Sequence, residues 1–117
     1  MRPARAPSDR LRDILEAVDH VGEMISGMDE AGFEADRRTR LAVERSIEII
    51  SEASRHIGAE QKESYPDVPW RDIAGIGNVM RHGYDHVLPS VVWHTATESL
   101  PELRPVIAAL LERANEA

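Results

Sequence analysis

A chain of 117 residues that is 42% hydrophobic and 30% charged holds enough apolar material for one packed domain and has no room for a second. Fourteen Lys and Arg against 21 Asp and Glu leave a net charge of −7, which disfavours a charge-driven, sequence-independent grip on long nucleic acid, so any such contact has to be local. The absence of cysteine excludes disulfides, zinc–thiolate centres and thiol nucleophiles.

The start of the chain, from Met1 to Pro7, has two arginines and two prolines but lacks the apolar run, roughly 7–15 residues long, of a secretory signal. No stretch approaches the roughly 20 apolar residues of a membrane span. These features predict a cytoplasmic protein without membrane contact. Residues 1–7 read as a flexible tail and 8–117 as a single helical domain.

Ser8 or Asp9 can cap a first helix whose apolar face runs through Leu11, Ile14, Leu15, Val18, Val21, Ile25 and Met28, ending near Gly27. After a linker over 29–32, a second and longest helix is expected from about Phe33 to Ile57, with Val43, Ile47, Ile50, Ala53 and Ile57 on one side. Arg45, Glu48, Glu52 and Arg55 lie on the other side and read as a solvated, ion-paired face. Gly58 can close this helix, and the prolines at 66 and 69 mark the main loop. Pro69 suits the first turn of a third helix, from Trp70 to about Met80. Gly75 and Gly77 weaken that helix and point to a close backbone approach. A short helix around Val91, Val92, Trp93 and Ala96 then leads through Ser99, Leu100 and Pro101 to a last helix burying Leu103, Ile107 and Leu110. The expected fold is all-α, an up-and-down bundle of four main helices plus a short one. A small bundle with long amphipathic helices and few aromatics leaves apolar surface that suits a homodimer.

The functional side chains concentrate between Gly77 and His86, at the end of the third helix and in the turn after it. His82 and His86 suit acid–base work because imidazole titrates near neutrality, Arg81 can hold a phosphate with its forked donors, and Tyr84 offers a hydroxyl. Such parts can cut RNA without a metal: a base takes the 2′-OH proton, the oxygen attacks the adjacent phosphate, and a cation stabilises the developing charge. Blander roles compete: the two histidines capping helix-end carbonyls, Arg81 at a favourable dipole end and Tyr84 packing its ring. His82 and His86 also have the four-residue spacing of helical metal pairs, but Gly83 interrupts the helix and the adjacent Glu of a zinc hydrolase is missing. His20, His56 and His94 have no partner at recognisable spacing, and neither a Gly-rich phosphate loop nor a serine-hydrolase elbow is present.

Several segments together carry a resemblance: 33–36, 42–45, 49–53, the run Tyr65-Pro66-Asp67-Val68-Pro69-Trp70-Arg71-Asp72-Ile73-Ala74-Gly75, and His82-Gly83-Tyr84. The chain resembles the HepT-like family of the HEPN superfamily from about residue 9 to 112. That resemblance implies a small dimeric helical bundle. It also implies a metal-independent endoribonuclease, acting on tRNA or mRNA as the toxin of a type VII-like toxin–antitoxin pair, whose antitoxin is an MntA-like minimal nucleotidyltransferase. The family's motif is an Arg, often followed by Asn, then a His after four to six residues and a Tyr two positions on. Asn78, His82 and Tyr84 match it, whereas the Arg position holds Gly77. In this register Arg81, or else Arg71, has to hold the phosphate, and Gly77→Arg is expected to restore or raise activity. A second register pairs Arg81 with His86 but puts Leu88 at the Tyr position. The resemblance further implies no cofactor, ATP serving only as the donor of an AMP group that the antitoxin attaches to Tyr84, where charge and bulk would repel RNA. Two other readings stay open: a non-catalytic module that holds a nucleotide or docks the nucleotidyltransferase, and a purely structural helical protein.

Overall fold

The computed structural model describes residues 6–82 and 88–116. Its elements, in chain order, are α1 (Pro7–Ile25), α2 (Glu30–Ala35), α3 (Arg37–Ser54), α4 (Ala59–Glu63), α5 (Trp70–His82), α6 (Pro89–His94), a π-helical turn (Thr95–Ser99) and α7 (Leu100–Glu116). The fold is all-α among the described residues, with α1, α3, α5 and α7 as the four long helices.

Periodicity located these helices, and local capping chemistry corrects their ends. Ala6 rather than Ser8 occupies the cap of α1, and the Asp9 carboxylate accepts from the Ala6 N–H at 3.1 Å. Residues 1–5 of the expected tail lie outside the described residues. Gly27, in the left-handed region at φ 80°, turns the chain after α1, a conformation that favours glycine. The expected second helix is two helices. Asp29 caps α2 by accepting from the Gly32 N–H at 2.8 Å, and Asp36 caps α3 by accepting from the Thr39 N–H at 3.0 Å and its hydroxyl at 2.9 Å. A short side chain that binds the backbone two or three residues on stops one helix and starts the next. α3 ends at Ser54 rather than Ile57, and Gly58 caps α4 instead of closing α3. The expected break at Ser99-Leu100-Pro101 is not a break. Helix α6 runs into α7 through the π turn, where the Leu100 N–H reaches the Thr95 carbonyl. The wider turn lets the rod pass Pro101, which has no N–H to give.

The core lies between α1, α3 and the α6–α7 rod, with Leu11, Ile14 and Val21 meeting Val43, Ile47, Ile50, Ile107 and Leu110. Helix α1 runs antiparallel to α7, tied at one end by Arg12 to Asn115 and at the other by Arg104 on Asp19, at 2.7 and 3.1 Å. The short α2 seals the bundle by burying Phe33 against Trp93, ring centroids 5.2 Å apart. No described helix is long and apolar enough to cross a membrane.

Helix α5 packs chiefly on α3. The Trp70 indole anchors its start by donating to the Lys62 and Tyr65 carbonyls at 3.2 and 3.1 Å. This holds the proline-containing loop against the helix that carries the candidate site.

Candidate functional site

Helix α5 is antiparallel to α3, and the two are joined by a buried polar clasp. Ser51 of α3 is 1% exposed. Its Oγ accepts from the Gly77 N–H at 3.0 Å and its hydroxyl donates to the Ala74 carbonyl at 3.0 Å. Arg55 reaches the same Ala74 carbonyl at 2.8 Å. A Cβ on residue 77 would stand 2.6 Å from Ser51 Oγ and 2.9 Å from its Cβ, whereas one on Gly75 would meet nothing within 4 Å. The close backbone approach expected of this glycine pair therefore belongs to Gly77 alone. Nothing in the sequence singles out Ser51 as its partner.

The clasp sets the face that α5 presents. At about 100° per residue, Gly77 and Met80 point inward and are buried, while Arg71, Asn78, Val79 and His82 lie on the outer side and are exposed. Asn78 and His82 are one turn apart, close enough for an amide and an imidazole to meet one small polar group. Arg71 shares the stripe but stands eleven residues from His82, about 16 Å along the axis at 1.5 Å per residue, so within one protomer it is not brought to the histidine.

Arg81 lies on the flank of α5, about 100° round from His82. It lines a groove of about 290 Å³ with Arg10 and Asp13 of α1 and Arg45, Glu48 and Glu52 of α3. The expected solvated face of α3 is thus partly one wall of this groove. Arg45 does pair with Glu48 at 3.1 Å, but the Glu48 side chain is only 18% exposed, and Arg55 serves the clasp. Arg10 and Asp13 were not among the sequence candidates, because α1 shows their approach to α5 only in three dimensions. Guanidinium and carboxylate groups balance in number along the groove, so Arg81 meets acidic neighbours as well as any incoming anion.

Tyr84 and His86 lie outside the described residues. Among the described residues no group of three His, Asp or Glu could hold a metal ion. His56, just past the end of α3, sits 3.6 Å from Glu52, and His94, the last residue of α6, sits 2.9 Å from Glu98 of the π turn; both pairs are exposed and local, four residues apart. Burial pushes the Glu44 carboxyl above its usual range, with Arg40 opposing the shift.

The chain matches the model of the family described as ribonuclease HepT-like over residues 14–110. It is 36% identical over 100 residues to a protein of Thermococcus cleftensis named "Probable ribonuclease HepT", covering 86% of this chain and 91% of the relative. A protein of Methanocaldococcus jannaschii named "Putative RNase" is 35% identical over 94 residues, covering 80% and 86%. One of Caldanaerobacter subterraneus with the same style of name is 30% identical over 109 residues, covering 93% and 97%. No solved structure gives a significant match.

Proposed function

Because the chain belongs to the ribonuclease HepT-like family, we propose that it is an endoribonuclease that needs no metal, with its reacting groups at the C-terminal end of α5. The observation that supports this most is the exposed pair Asn78 and His82, one turn apart on the outer face of a helix held from behind by Ser51. In this reading His82 takes the proton of a ribose 2′-OH, the 2′-oxygen bonds to the adjacent phosphorus, and the 5′-oxygen leaves and takes up a proton. The products are a 2′,3′-cyclic phosphate and a free 5′-hydroxyl. Asn78 donates to a phosphate oxygen, and Arg81 supplies the cation from the neighbouring groove.

The substrate is tRNA or mRNA, and the protein is the toxin of a type VII-like pair, silenced when an MntA-like nucleotidyltransferase moves AMP from ATP to Tyr84. Two copies form the active unit. Leu41 and Ile49 on the outward face of α3 and Val79 on α5 are 54%, 37% and 55% exposed, and a second copy would cover them.

A second reading is favoured by Gly77: a binding module on the same fold, without turnover. The motif's arginine position is occupied by backbone packed on Ser51, which removes one cationic donor, a change worth roughly 100-fold or more in rate. The deciding experiment is cleavage of labelled tRNA and mRNA in EDTA by wild type and His82→Ala. The nuclease reading expects cleavage that falls by about 10²–10⁴ in the variant, and equal cutting by the two proteins would refute the site. If the wild type does not cut, the module reading requires ATP or the nucleotidyltransferase to shift the melting temperature.

A further inference from the structure

Away from the candidate site, the other flank of α5 faces the α6–α7 rod across a cavity of about 420 Å³, a size typical of small-ligand pockets, roughly 300–1,000 Å³. Buried Ile47, Ile50 and Leu103 form its floor, with Ile73 and Ile76 of α5 as a half-buried wall. Protein interiors are normally filled to crystal density, so an open space with such walls suits an apolar body. Three carboxylates, Asp67, Asp72 and Glu102, also line the cavity, and no basic side chain does so among the described residues. This holds in a chain with fourteen Lys and Arg. The groove on the opposite flank of the same helix is mixed, with three arginines balanced by three carboxylates.

The π turn is an independent observation. Thr95 and Ser99, its first and last residues, both line this cavity. The Thr95 hydroxyl is engaged by the Val91 carbonyl at 2.9 Å. Single π turns inside α-helices occur often at binding sites, because they re-aim side chains at a cost in helix regularity.

We infer that this cavity is a binding site for a small amphipathic cation, an aliphatic amine whose chain lies on the isoleucine and leucine walls and whose ammonium meets Asp67, Asp72 and Glu102. Nothing in this inference depends on the ribonuclease reading. A ligand here would join α5 to α7 and bind only the folded protein, so it raises the melting temperature by mass action.

The test is calorimetric titration of the full chain with n-octylammonium, n-octanol and octanoate, each below its aggregation concentration. The expected result is one octylammonium per chain, bound at least ten-fold more tightly than octanoate, with octanol between them. Asp67→Asn combined with Asp72→Asn should weaken octylammonium by about three- to ten-fold while leaving octanol unchanged, the scale of two exposed ion pairs. Ser99→Phe at the rim and Ile76→Trp in the wall should each weaken all probes that bind, and circular dichroism identifies any variant that fails to fold. The proposal is overturned by octanoate binding as well as octylammonium, by no binding of any probe, or by undiminished binding in folded Ser99→Phe and Ile76→Trp proteins.

Discussion

The two glycines of α5 make opposite forecasts although they are two residues apart. Gly77→Ala places a methyl 2.6 Å from Ser51 Oγ and 2.9 Å from its Cβ, inside a contact that is buried on both sides. Ser51 cannot swing away freely, since its Oγ holds the Gly77 N–H and the Ala74 carbonyl, each at 3.0 Å. Overpacking of this kind costs about 1–3 kcal/mol, and each buried hydrogen bond lost adds about 1 kcal/mol. The better helix propensity of alanine returns about 1 kcal/mol. The net loss is about 1–3 kcal/mol, or a fall in Tm of about 4–12 °C for a domain of this size. Gly75→Ala has open space at its Cβ and should gain about 0.5–1 kcal/mol, a rise of about 2–4 °C. Thermal and urea unfolding of both variants provides the measurement. A Gly77→Ala protein melting at or above wild type would refute the clasp as described. Adding Ser51→Gly to Gly77→Ala should recover part of the loss, with a coupling of about 0.5–3 kcal/mol. The same geometry corrects the simple rescue suggested by the motif: Gly77→Arg alone must displace Ser51 before its guanidinium can help, so the informative rescue variant pairs it with Ser51→Gly.

Asp36→Ala should destabilise the protein through loss of the α3 cap, read as a lower urea midpoint. The Thr39 N–H and hydroxyl hold the Asp36 carboxyl below its usual 3.8, so its contribution is complete above that pH and is lost as pH falls through the lower folded value. The gap between wild type and variant should narrow there, and a gap unchanged down to pH 2 would count against the cap. Glu44 has the opposite sign: burial raises its folded pKa above 4.5, so ionisation costs stability as pH rises through that window. Glu44→Gln should therefore be more stable than wild type at pH 7 and lose this advantage in acid, and equal stability of the two proteins at pH 7 would refute the burial of this carboxylate as a cost. Trp70→Phe should cost about 1–2 kcal/mol by leaving the Lys62 and Tyr65 carbonyls without the indole donor, and susceptibility of the loop at 64–69, between α4 and α5, to proteolysis should rise with it. Tyr84→Phe should abolish the mass increase on incubation with ATP and the nucleotidyltransferase, and an increase that survives in the variant would refute Tyr84 as the acceptor.

The four long helices were legible in the sequence because burial of one apolar stripe imposes a period near 3.6, and the buried positions of α1, α3 and α7 follow that period. Their ends were less legible. Asp29, Asp36 and Gly58 are each compatible with a loop, a stop or a start, and which of these occurs depends on the hydrogen bonds the folded backbone leaves open. The family resemblance was carried by local strings that fold together, from Pro66 through Gly75 and on to His82, so family membership could be read before any contact was known. Which side chains share a surface could not. Asn78 and His82 follow from helix geometry alone, but Arg10, Arg45 and Arg81 come together from three helices, and Ser51 meets Gly77 across 26 residues of chain. Sequence by itself determined where apolar surface must be buried and therefore the helical class of this protein. Only the tertiary structure decided which backbone lies against which, because interhelical packing depends on shapes that meet at a distance along the chain, and so it alone assigned Gly77 to the α3 contact and set Arg81 in a groove with residues of α1 and α3.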